Sequence, residues 1–453
     1  MPNFSELISS FYYVLTFKGT YLFIFFLIAI HLITKKYKNI YVKPKLLIKY
    51  YFGISILIIT FTSFFNITNG TIFFKNDLFA DGLKVIYSYS HIFDSKQYEY
   101  LNGAYQYIDN PYSEVVSEST NGLYHSHLTP VPSLQYHLTA YLIRFFNIAH
   151  PWFILINFIL YFLLVFKNFN FCRINFDNTT ANIFFTLSLF SYPAIFLFQR
   201  GNFSSGYTTQ LLIMAYLFFM KHKKLKLIHF LLIAIALNFR PNYLFLLPIF
   251  ILNDGFVNSV KLLFQHFISF LTVGYMSFLS VNYMYKDYTF ENFFIALDRY
   301  REWHLRRGDG FDSSLYRVFQ QLVDPFNSYP YLIYYFFIAF SLTLISVYFL
   351  KKFEYKIQFL LFSIFLWSPL ADYHLLILLI PILFHTVHSK KYSFSTILIV
   401  LYLAILIPKP HFLNNPLHTD DISFIPISIS NYFNASIFVY LLLNRKLVQK
   451  TNY

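Results

Sequence analysis

Apolar residues in this chain do not alternate with polar ones. They run in long blocks, of about the 20 residues that cross a bilayer as a helix. The blocks lie at 9–33, 48–66, 151–166, 180–198, 205–220, 226–252, 262–284, 331–350, 357–388, 394–408 and 432–444. Blocks this long and this poor in charge predict helices surrounded by lipid, not the one-sided helices of a water-soluble core. Two of them are interrupted, 226–252 at Arg240-Pro241 and 357–388 at Ser368-Pro369. Proline lacks the donor that a helix interior uses, so each is read as a hairpin of two shorter helices. The segment 134–148 is read either as a short span or as an amphipathic helix lying in the interface. The expected architecture is all-α and polytopic, with about 11–14 transmembrane helices in one transmembrane domain over 1–453.

The cations set an orientation. Residues 35–49 hold six lysines and no acid. Further clusters lie at Lys221, Lys223, Lys224 and Lys226, at Lys351, Lys352 and Lys356, at Lys390-Lys391, and at Arg445-Lys446. One alternating path puts all of them inside, as the positive-inside rule asks. That path requires 134–148 not to cross and puts the N-terminus outside. It leaves three outer loops, 67–133, 286–330 and 409–431, which carry 7, 7 and 2 of the 21 acidic residues.

Composition agrees. Charged residues are 12% and hydrophobic ones 57%, where a soluble domain carries about 25% charged residues. The net charge of +14 is read as cytoplasmic loops and not as a nucleic-acid partner. A single cysteine, Cys172, excludes an intramolecular disulfide and a cysteine-based metal cluster. The N-terminal block has no basic leader or small-residue cleavage site and is read as a retained helix. No GxGxxG or P-loop signature is present, which argues against a nucleotide-driven transporter.

Polar chemistry gathers at the outer ends of the blocks. Asp77 and Asp81 follow directly on a span. Partial desolvation there suits an acid to act as a general base, and a spacing of four puts both on one helical face. The plain alternative is a pair of solvated loop acids. His125 and His127 follow in the same loop, able to contact a phosphate or a sugar hydroxyl, or only to pack at the surface. A metal site is open to them too, but two histidines without a clear third ligand are weak evidence for one. No cofactor is expected, and a divalent cation stays open. Gln199-Arg200-Gly201-Asn202 and Asn238-Phe239-Arg240-Pro241-Asn242 pair arginine with asparagine at matching depths. An arginine there needs an anion, such as a lipid phosphate, unless it snorkels to the headgroups. Asp372, in Ser368-Pro369-Leu370-Ala371-Asp372-Tyr373-His374, is the one acid in its apolar stretch. It is either a functional intramembrane group, with His374 beside it, or a tie between short helices.

The order of these features resembles the GT-C superfamily of membrane glycosyltransferases, especially its bacterial polyprenyl-phosphate-sugar-dependent branch with mannosyl- and arabinosyltransferase-like members. The likeness covers roughly residues 48–390. It is carried by NDLFAD, YHSHLTPVPSLQYH, YPAIFLFQRGN, KHKKLKLIHFLLIAIALNFRP and SPLADYH. The resemblance implies a sugar transferred from a polyprenyl-phosphate donor to a glycan or lipid acceptor at the outer face of a bacterial inner or plasma membrane. It implies Asp77 as catalytic base; Asp81, four residues on, is the next candidate by its spacing. The resemblance also implies that Arg240 matches a cation position that contacts the donor phosphate. Read from the residues alone, Arg200 and His125 are further phosphate contacts and Asn202, Asp372 and His374 other candidates. Two features depart from the pattern. Arg240 stands where relatives often carry lysine, and the block 9–33 puts Asp77 after the second span instead of the first. Two rival readings are a polysaccharide polymerase of the O-antigen type, using the arginines of loop 286–330, and a flippase for lipid-linked oligosaccharides. No internal repeat of the kind common in such transporters is visible.

Overall fold

The computed structural model describes residues 42–64, 145–222, 226–239, 372–388 and 393–408, with a few isolated positions besides. Among the described residues all regular structure is helical and no strand occurs. The helices are α1 (Pro44–Phe64), α2 (His150–Asn175), α3 (Asn178–Phe190), α4 (Tyr192–Arg200), α5 (Phe203–His222) and α6 (Leu227–Phe239). A 3-10 segment, Asp372–Leu378, then runs directly into α7 (Leu379–His388), and α8 (Ser393–Ile405) follows. The apolar block at 432–444 and both proline breaks lie outside the described residues, and the blocks at 9–33, 262–284 and 331–350 are described only at isolated helical positions.

Two stretches are long and apolar enough to cross a membrane by length and composition, Pro151–Asn175 and Asn178–Arg200. The second is bent. Ser191 closes α3 in extended conformation with ψ 157°, and Pro193 falls in the first turn of α4. A proline fits there, where its missing donor would be unpaired anyway. At the other end of α4, Gly201 adopts φ 66°. Its amide bonds to the Phe198 carbonyl at 3.1 Å and the Asn202 amide to the Leu197 carbonyl at 3.2 Å. That pair is a Schellman closure, which asks for a residue free to take positive φ. Asp177 starts α3 by accepting from the Thr180 amide at 2.8 Å, the usual use of an aspartate before a helix.

Cross-contacts fix the helix directions. Tyr161 donates to the Ser188 carbonyl and Phe158 meets Phe198, so α2 runs opposite to α3–α4. Asn157 pairs with Tyr207, Asn168 with Gln210 and Phe171 with Phe218, so α5 runs parallel to α2. Phe218 also meets His229, and α6 returns antiparallel to α5. The 3-10 segment packs on α4, and α7 on α3, so 372–388 also runs opposite to α3–α4. Finally, the Val42 amide donates to Thr396 Oγ1 and the Tyr51 hydroxyl to the Leu406 carbonyl. Helix α1 is therefore parallel to α8.

The core lies along the 3-10 segment and α7, where every residue from His374 to His385 is buried. A helix apolar all round belongs at the centre of a bundle. By contrast α2 turns Trp152, Leu155, Ile159, Leu163 and Phe166 outward. Only 28% of its most apolar window is buried.

Candidate functional site

These directions sort the charged and polar residues by end. Lys43 and Lys45 before and in α1, Arg173 in the last turn of α2, Lys221 in that of α5, and Lys226 before α6 share one end. Ala149 before α2, the turn Arg200-Gly201-Asn202, Phe239 at the close of α6 and Asp372 at the start of the 3-10 segment share the other. Of the expected site residues, Arg200, Asn202, Asp372 and His374 are brought to this second end. Asp77, Asp81, His125 and Arg240 lie outside the described residues; Arg240 follows directly on Phe239, the last described residue of α6.

The turn is built by its own sequence. Arg200 ends α4 and stays partly exposed. Gly201 reverses the chain, and Asn202 is buried at 5% exposure. Its Oδ1 accepts from Ser204 Oγ at 2.8 Å and from Ser205 Oγ at 3.1 Å. Two hydroxyls on one oxygen give Asn202 a part in starting α5. Asn202 is a candidate site residue by its sequence, and here its oxygen serves the turn.

The other wall is the 3-10 segment. Seven residues, Asp372–Leu378, keep this tighter coil, although such runs seldom exceed three or four residues. His374 is buried there at 3% exposure. The segment packs against both α4 and α5, so Asp372 and His374 belong to the element that flanks the Arg200 turn. Among the described residues no three of histidine, cysteine, aspartate and glutamate come together to hold a metal.

Sequence reasoning passed over Gln199. It sits one residue before Arg200, is 5% exposed, and among the described residues neither Nε2 nor Oε1 has a hydrogen-bond partner. A glutamine near the end of an apolar block reads as a membrane-interface residue, and only its burial marks it out.

Below this end runs a seam of paired polar groups. Asn168 Nδ2 donates to the Gln210 carbonyl and to its Oε1, both at 3.0 Å. Gln210 Nε2 reaches the Tyr161 hydroxyl at 3.3 Å, which donates to the Ser188 carbonyl at 2.9 Å. Nearer the Arg200 end, the Tyr207 hydroxyl lies 2.7 Å from Asn157 Oδ1. Apart from Asn168 Oδ1, which has no partner among the described residues, these groups satisfy one another inside the bundle, as most buried polar groups do. They hold α2, α3 and α5 in register beneath the site.

Compared with known proteins, the chain matches no family model, no curated protein and no solved structure.

Proposed function

We propose that this chain is a multi-pass membrane glycosyltransferase of the GT-C type. It would move a sugar from a polyprenyl-phosphate donor to a glycan or lipid acceptor at the outer face of a bacterial inner or plasma membrane. The observation that carries the reading is the sorting by end. Arg200, Asn202 and the Asp372–His374 segment gather at the end opposite Lys43, Lys45, Lys221 and Lys226, and outward-facing aromatic and aliphatic side chains cover α2 between them. Lysines at one end fit a cytoplasmic face. This apolar surface, which runs from Trp152 to Phe166 ahead of the exposed Lys167, fits lipid better than water. With α2 at 26 residues, the bundle is about 39 Å long at 1.5 Å per residue, enough for the roughly 30 Å hydrocarbon core.

The chemistry follows from the sequence. Asp77 takes the proton of an acceptor hydroxyl. The acceptor oxygen then attacks the anomeric carbon as the bond from that carbon to the phosphate oxygen breaks, with inversion. The lipid phosphate leaves as an anion, stabilised by Arg240 with Arg200, since guanidinium binds phosphate bidentately. A lipid-linked donor accounts for the lack of a nucleotide-binding signature.

The test is transfer of radiolabelled sugar from a panel of polyprenyl-phosphate sugars by purified protein, wild type beside Asp77→Asn. Transfer that falls at least about 100-fold in the variant supports the reading. Transfer that persists moves the base to Asp81. No transfer from any donor by folded protein favours a polymerase or a flippase.

A further inference from the structure

We infer that the Gln199 side chain is a ligand-binding group that recognises the hydroxyls of a sugar. The inference rests on the proposed function and extends it to what the site reads. A buried primary amide without partners is unfavourable, because it has given up water and gained nothing. Gln199 is such a group, at 5% exposure with both polar atoms unpaired among the described residues. It is not isolated from the surface, since the next residue, Arg200, is partly exposed. In the seam below, Asn168 Nδ2, Gln210 and the Tyr161 hydroxyl find partners within the protein, while Asn168 Oδ1, like the hydroxyls of Ser188 and Ser191, has none among the described residues. Among those residues Gln199 is the one buried side chain with both ends of an amide unpaired. Gln199 is left over at the end where the proposed donor arrives.

The chemistry of the amide selects the ligand class. It offers one acceptor and two hydrogens on adjacent atoms. A phosphate has only acceptors for it and a metal ion only a place for oxygen, so each would leave half of the amide unused. A sugar hydroxyl both donates and accepts, and two neighbouring hydroxyls pair with Nε2 and Oε1 together. Arg200 would then face the lipid phosphate while Gln199 reads the ring beside it.

The experiment uses the full chain in detergent and the variant Gln199→Met, which keeps volume and removes both polar atoms. Thermal unfolding is read first, without donor, and then with each polyprenyl-phosphate sugar and with polyprenyl phosphate alone. In the ligand role, Gln199→Met unfolds at the wild-type temperature or a few degrees above it. Its affinity for the sugar-bearing donor drops roughly tenfold, the loss of an uncharged hydrogen-bonded contact, while affinity for polyprenyl phosphate alone is kept. A variant that unfolds several degrees lower without donor overturns the inference, because the amide then supports the fold. Equal loss for donor and bare phosphate, or no loss for either, overturns it too, as does a wild type that no sugar-bearing donor stabilises. A wild type that binds such donors without transferring the sugar sinks the enzyme reading alone, and the Gln199→Met comparison still decides the inference.

Discussion

The hydroxyl of Tyr51 lies 3.2 Å from the backbone amide of Tyr192, at the bend between α3 and α4. That amide is released by the break before Pro193, and Tyr51 reaches across from α1 to satisfy it. The same hydroxyl donates to the Leu406 carbonyl at 2.8 Å, just past the end of α8. One oxygen thus ties three segments separated by more than a hundred residues each. Tyr51→Phe leaves an amide and a carbonyl unpaired in a site where Tyr51 is 3% exposed. The expected loss is about 1–3 kcal/mol of stability, read as a lower unfolding temperature in detergent. An unchanged temperature would mean that the bend does not need this cap.

Asn168 and Gln210 form the second tie, from α2 to α5. Each single change to alanine should destabilise the protein, and the double change should cost less than the sum. The coupling expected from such a cycle is about 0.5–3 kcal/mol. Strict additivity would count against the pairing.

Close approach of α2, α4 and α5 depends on Gly206. A Cβ there would meet Tyr161 Cδ2 and Cε2 at 2.8 Å and Leu197 Cδ1 at 3.0 Å. The Tyr161 ring cannot easily swing aside, because its hydroxyl is held by Ser188 and Gln210. Gly206→Ala should cost about 1–3 kcal/mol, measured by thermal unfolding. Gly201→Ala should cost roughly 1 kcal/mol for its positive φ, and it should also disturb the Arg200 turn. Wild-type stability in Gly206→Ala would show that α5 can move away from Tyr161.

Several elements were legible in the sequence because block length and a flanking charge define a helix end. The block 205–220 is found as Phe203–His222 and 394–408 as Ser393–Ile405. The block 151–166 runs on to Asn175, past Lys167 and Asn168, because Asn168 is buried against Gln210 and does not mark an exit. The bend in 180–198 carried its proline in plain view, but a proline in a first turn and one in a helix interior look alike without the neighbouring amides. Arg200 and the 372–374 segment were legible as candidates because charge in an apolar run is conspicuous. Gln199 was not, since the absence of a partner is a property of packing and leaves no local pattern.

The central claim is that the lysine end and the Arg200 end lie on opposite sides of a membrane. Its most direct test is side-specific labelling. Cys172 is fully buried and gives little background. Ala149 and Lys221 are exposed at opposite ends, and each is replaced by cysteine in the full chain. With a membrane-impermeant maleimide on intact cells, the account predicts that Ala149→Cys is labelled at once and Lys221→Cys only after the cells are opened. Labelling of both from one side, or of Lys221→Cys alone in intact cells, would contradict it.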